Sequence, residues 1–161
     1  MRPLFFAAAL LALAACDSGP AEDPARGRFE ATFTGDVEAS LEGAARISRQ
    51  TFPDGTVLVG VTMVPSGSPT RSLSITGEDG DLSRTGSFAL GGASGLGLVY
   101  IDVLGGSSAL FSTSGEVTLT RADDDRVTGS FTATLEAFPE GDERAQVEGT
   151  FDATPGASIG F

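Results

Sequence analysis

From residue 28 onward the sequence changes character at every second residue. Phe29, Ala31 and Phe33 alternate with polar neighbours, as do Val37, Ala39 and Leu41, and Val57, Val59, Val61 and Met63 form a longer stripe. Leu73 and Ile75, Phe88 and Leu90, Val117 and Leu119, and Phe131, Ala133 and Leu135 repeat the pattern, which ends with Val147, Gly149, Phe151 and Ala153. Leu96 to Leu104 departs from it as a more continuous apolar run. Side chains on a strand point to opposite faces in turn, so a period of two predicts strands with one buried and one wet face. No window after the leader combines helical spacing with caps, which excludes a helical bundle.

Turn chemistry separates the stripes. Pro53-Asp54-Gly55, Pro65 to Pro69, Glu78-Asp79-Gly80-Asp81, the Gly91–Gly95 tract, Asp123-Asp124-Asp125 and Pro139-Glu140-Gly141-Asp142 each interrupt the alternation. Glycine supplies positive φ, proline presets φ, and aspartate bonds nearby backbone, so each cluster is a turn for a physical reason. About eight short strands at this spacing predict a single antiparallel β-barrel or β-sandwich. The expected inward set includes Phe29, Phe33, Val59, Val61, Ile75, Phe88, Leu119, Phe131, Leu135 and Phe151.

A weak echo runs through the strands. "TGSFAL" at 85–90, "TGSFTA" at 128–133 and "EGTFDA" at 148–153 place a glycine two positions before a phenylalanine. Both fall on one face of the strand, and the glycine leaves room for a ring from a neighbour or for a bend. The unequal spacings exclude a solenoid or propeller.

The first fifteen residues belong to something else. Met1-Arg2-Pro3 precedes an unbroken apolar run from Leu4 to Ala15, too short for a membrane span of about 20 residues and built like a secretory signal peptide. The run ends at Leu13-Ala14-Ala15-Cys16, which resembles the bacterial lipobox at all four positions. The resemblance implies cleavage between Ala15 and Cys16, a diacylglycerol on the Cys16 thiol and acylation of the new amino group. Two or more buried chains, at about 0.8 kcal/mol per methylene, anchor stably. Residues 16–26 are rich in proline, glycine and acid, a composition that predicts a flexible tether. The expected organisation is thus signal peptide 1–15, lipidated Cys16 and tether 16–26, all-β domain 27–154, and a loose tail 155–161. Asp17 after the cysteine matches one known sorting rule for retention at the inner membrane, and acidic residues there match another for surface export. The expected address is therefore extracytoplasmic, on the periplasmic side or the cell surface, with the two rules disagreeing on which.

Composition removes whole classes of chemistry. Cys16 is the single cysteine, and the chain has no His, Lys, Trp or Asn. Ser-His-Asp and Cys-His catalysis lack their base, a Walker loop lacks its lysine, and zinc and haem lack ligands. Twenty-two acidic residues against ten arginines give a charge of −12, which repels nucleic acid. Carboxylates, hydroxyls and arginine remain. Glu78 to Asp81 and Asp123 to Asp125 carry oxygens that calcium favours, yet neither follows the EF-hand spacing, and solvated turns are expected. No carboxylate pair stands out as a glycosidase couple. Phe161 at the end is reminiscent of outer-membrane barrels, but one Tyr and no Trp cannot form their aromatic girdles.

The order of these features resembles a group of β-rich lipoproteins from Bacteroidota and their relatives. The likeness rests on "GDVEASLEGAA" at 35–45, "TGSFAL", the hairpin "SGEVTLTRADDDRVTGSFTATLEA" at 114–137 and "VEGTFDAT" at 147–154. It implies an anchored all-β domain and adds no mechanism. The expected function is a lipid-anchored binding or structural module of the cell envelope, without catalysis, cofactor or metal. The membrane is its partner through the lipid, and an envelope protein, a glycan or a small apolar ligand are its candidate contacts. The alternatives are a lipocalin-like carrier, if strands close around a cavity, and a carboxylate-based glycan hydrolase.

Overall fold

The computed structural model describes residues 27–55, 57–78, 82–92, 94–103, 108–138 and 141–156. Ala15, Cys16, the rest of the leader and tether, and residues 157–161 lie outside the described residues, as do Asp79, Gly80 and Asp81. The strands among the described residues are β1 (Arg28–Gly35), β2 (Ala39–Thr51), β3 (Val57–Pro65), β4 (Arg71–Glu78), β5 (Gly86–Ala89), β6 (Gly97–Asp102), β7 (Ser108–Ala122), β8 (Val127–Phe138) and β9 (Arg144–Pro155). No helix occurs among these residues. β1 pairs with β2, β2 with β3, β3 with β4, β4 with β6, and on through β7 and β8 to β9, all antiparallel. β9 then pairs with β1, so eight strands close an up-and-down barrel. The closed barrel replaces the open choice between barrel and sandwich.

β5 is the ninth strand. β8 occupies one edge of β7 along its length, while β6 takes residues 108–111 of the other edge and β5 takes 116–119. β5 and β6 therefore share one edge of β7, parted by a glycine-rich excursion that the Gly91 N–H to Leu96 carbonyl bond closes at 2.9 Å. This position explains the one departure in the expected core. Phe88, on a four-residue strand, is only partly buried and carries the Arg84 guanidinium 5.3 Å above its ring. The other nine residues of the expected inward set are buried.

The interior is apolar and the wall polar. Inward residues on β8 are Val127, Phe131, Ala133 and Leu135, while Thr128, Ser130, Thr132 and Thr134 face out. That polarity is the reverse of a membrane-spanning barrel, whose apolar band faces outward. An eight-stranded barrel is just wide enough for side chains to fill. Phe29, Phe33, Met63, Leu73, Ile75, Leu98, Leu110 and Leu135 do so, each almost wholly withdrawn from solvent.

Two glycines carry the close packing inside the β8–β9 pair. Gly129 lies opposite Phe151 and Phe131 opposite Gly149, so each ring covers the neighbouring strand's glycine. A β-carbon on Gly149 would stand 2.6 Å from Phe131 Cζ, and one on Gly129 would stand 3.2 Å from Phe151 Cζ. The two rings lie 6.2 Å apart. The glycine–phenylalanine echo of the sequence is this reciprocal packing.

At the pole where β1 begins, β2 and β9 converge over the start of that strand. They pair directly in parallel at Arg46 and Thr154 and at Ile47 and Pro155. Gly27 sits between them: its N–H donates to the buried Thr154 hydroxyl at 3.0 Å, and its carbonyl accepts from Ala45 N–H at 3.0 Å. A β-carbon there would fall 2.2 Å from the Ala45 carbonyl oxygen, which only glycine avoids. β9 continues through Pro155, one residue past the expected domain end at 154, and the Gly156 N–H still donates to the Ile47 carbonyl. Proline has no N–H to extend the ladder, so it closes the strand rather than breaking it earlier.

Candidate functional site

The opposite pole gathers the turns β1–β2 and β8–β9, the start of β4 and the end of β6. There a cleft of about 270 Å³ opens between Asp36, Val37, Glu38, Arg71, Tyr100, Asp102, Leu110 and Glu143. Its floor is the upper layer of the core. Tyr100 points inward from β6 and packs on Phe33, ring centroids 4.7 Å apart. A buried tyrosine needs a partner for its hydroxyl, and Asp102, two residues on, is the acid beside it in the cleft. Burial raises the phenol above its ordinary pKa; Arg71 pulls the other way, and the Asp102 charge and hydrogen bond add to the rise.

Antiparallel pairing places Arg71 opposite Asp102, and Arg71 Nε donates to Asp102 Oδ2 at 2.8 Å. The rim is tied to the barrel by backbone. Asp36 N–H donates to the Arg144 carbonyl at 2.9 Å, and Arg144 N–H returns the bond to Asp36 Oδ2 at 2.9 Å. The Glu143 carbonyl accepts from Ala137 N–H at 3.0 Å. The cleft thus offers one guanidinium, a phenol, four carboxylates and an apolar floor. Four carboxylates against one guanidinium give the rim a negative field, which favours a cationic group.

Other acidic groups lie elsewhere. Glu30 faces Glu42 across β1 and β2, and with Glu148 they line an open trough of about 670 Å³ on the outer wall, among the hydroxyls of Thr32, Ser40, Ser130, Thr132 and Thr150. The Asp123–Asp125 cluster is the β7–β8 turn, and its carboxylates diverge. Asp123 Oδ1 accepts Asp125 N–H at 3.1 Å and Arg126 N–H at 2.8 Å, while Oδ2 meets Arg121 Nε at 2.6 Å. The Arg121 bond, aided by the two backbone groups, holds the Asp123 carboxyl below its ordinary range. Asp124 reaches instead to Arg49 of β2 at 2.7 Å. Among the described residues no three acidic, His or Cys side chains converge as metal ligands.

Two expected outcomes arise here. Monovalent salt should stabilise the fold by screening the chain's net charge of −12, with calcium adding nothing beyond its ionic strength. Thermal melts at matched ionic strength check this, since a site would add stability growing with the logarithm of calcium concentration. The second concerns Arg126, whose side chain grips both carboxylate oxygens of Asp152 while Thr128 Oγ1 adds a bond at 3.3 Å. The Arg126 hydrogen bond holds the Asp152 carboxyl below its ordinary range. A depressed carboxyl stabilises the fold above its unfolded pKa and loses that contribution as pH falls through the folded one. Asp152→Asn should therefore cost about 1 kcal/mol at neutral pH, the upper end for a partly exposed pair. The cost should vanish in strong acid, as denaturant titrations along the acid limb would show.

The fold and cleft define a side-chain-filled up-and-down barrel with one polar, acid-rimmed pole. No protein-family model, curated protein sequence or solved structure matches this chain. The distal cleft was not among the sequence expectations. Arg71 and Asp102 are 31 residues apart, and only the β4–β6 register joins them. One signal was present: Tyr100 is the sole tyrosine, at an inward phase and two residues before an acid.

Proposed function

We propose that this chain is a lipid-anchored, extracytoplasmic binding module that presents its acid-rimmed pole to the cell envelope or its surroundings. The observation that carries the reading is polar placement: Gly27, where the chain joins the barrel, is built into the pole opposite the cleft. An anchor at Cys16 would hold the barrel by its sealed end and leave the cleft facing away from the lipid. The filled interior favours a module that binds at its surface over a carrier with an internal cavity. The chain's only cysteine is the anchor residue, so introduced thiols label one place each. Dyes on Asp54→Cys, at the β2–β3 turn, and Asp142→Cys, at the distal rim, should respond oppositely to a quencher in the lipid headgroups. Asp54 should be quenched strongly and Asp142 weakly. Equal quenching, or the reverse order, would overturn the reading.

A further inference from the structure

Four of the five large apolar side chains exposed among the described residues sit together beside the distal cleft. They are Ile101 (40% exposed), Val103 (57%), Phe111 (39%) and Phe138 (67%), on β6, β7, β8 and the turn after β6. Register makes them one surface. Ile101, Ala109 and Phe138 stand in a row across three strands, and Phe111 meets Phe138 edge-on with centroids 5.5 Å apart. Elsewhere the outward positions of β8 are Thr, Ser and Glu136, so an aromatic pair held in water calls for a partner. The cleft adjoins this collar: Glu143, on its rim, accepts from the N–H of Ala137, the residue before Phe138.

Charge says what the collar takes. Arg71 and Arg144 are the described arginines at the distal pole, and each already faces a carboxylate. Asp36, Glu38, Asp102, Glu136, Asp142 and Glu143 surround them, whereas Arg28, Arg46, Arg49, Arg84, Arg121 and Arg126 lie toward the other pole. A second copy of the chain would bring the same negative surface, and an anionic membrane would be repelled. We infer that the collar and cleft together form a docking surface for a cationic protein segment, one whose aromatic or aliphatic anchor covers Phe111 and Phe138 while an adjoining basic side chain enters the acid-rimmed cleft. This deepens the reading of a distal binding pole and rests on it.

The probe is a short fluorescent peptide with a Leu-Phe anchor flanked by arginines, paired with a twin in which glutamates replace the arginines. The full chain is titrated in phosphatidylcholine nanodiscs if it carries lipid and free in buffer if it does not, so failure of the anchor and failure of the collar read separately. The arginine peptide should bind saturably, the glutamate twin should not, and binding should weaken as ionic strength rises. Phe111→Thr with Phe138→Ser should weaken binding about tenfold or more, as loss of an aromatic anchor does. Glu143→Gln should weaken it more at low salt than at high. Both variants should melt like the parent, because the replaced groups face water. Absence of saturable binding, binding unchanged by the collar substitutions, equal binding of the twin, or collar-dependent self-association or vesicle binding would each overturn the proposal.

Discussion

Phe131→Ala is expected to lower the unfolding free energy by about 3–5 kcal/mol, the transfer and cavity terms adding for a buried ring. Phe131 is 2% exposed and lies against Phe151 and over Gly149. The strands on both sides are long, and around Phe131 both ladders are continuous, so the barrel wall resists collapse into the space. A cavity beside a glycine is also the least refillable kind, since no neighbouring β-carbon can turn into it. The chain has no Trp, so denaturation is best followed by far-ultraviolet circular dichroism. A loss below about 1 kcal/mol, far under the range for core phenylalanines, would mean that the ring is exposed.

Gly149→Ala should cost about 2–3 kcal/mol, from overpacking rather than from a void. Its β-carbon would meet the Glu30 carbonyl oxygen at 2.5 Å and Phe131 Cζ at 2.6 Å. The ring can rotate away at some cost, but the carbonyl belongs to the β1–β9 ladder and cannot. Removing the ring relieves one clash of the two. The double variant Phe131→Ala, Gly149→Ala should therefore lose less than the sum of the single losses, a coupling that a double-mutant cycle reads directly. Strict additivity would show that the ring does not rest on Gly149.

These residues were legible before any coordinates because they obey a local rule. Alternation assigned Phe29, Val61, Ile75, Phe131 and Phe151 to one face, and the turn clusters separated the strands. The Leu96–Leu104 run resisted that rule for a reason now visible. Leu96, Leu98 and Tyr100 point inward, while Val99, Ile101 and Val103 on the other face are apolar too, Ile101 and Val103 as part of the distal collar. Where both faces are apolar, a period of two disappears. Closure was illegible for a different reason. Pairing of β9 with β1 joins Phe151 to Phe29 across most of the domain, and nothing local distinguishes that contact from the edge of a sandwich. The Arg71–Asp102–Tyr100 network depends on the same kind of distant register. Gly27 and Thr154 show the limit most plainly: a glycine just before the first strand and a threonine at the end of the last carry no local sign of each other, yet they form the buried joint of the proximal pole.

The proposed outward orientation of the distal pole requires lipidation of Cys16, and the mass of the purified chain's N-terminal fragment tests that most directly. The full chain, expressed in a host with a lipoprotein pathway, extracted from its membranes and proteolysed, should yield a fragment that begins at Cys16 and carries a diacylglycerol and an acyl group. Cys16→Ser should abolish the fragment and leave the uncut leader from Met1. A wild-type fragment beginning elsewhere, or beginning at Cys16 with a free thiol, would contradict the anchor and with it the orientation of the distal pole.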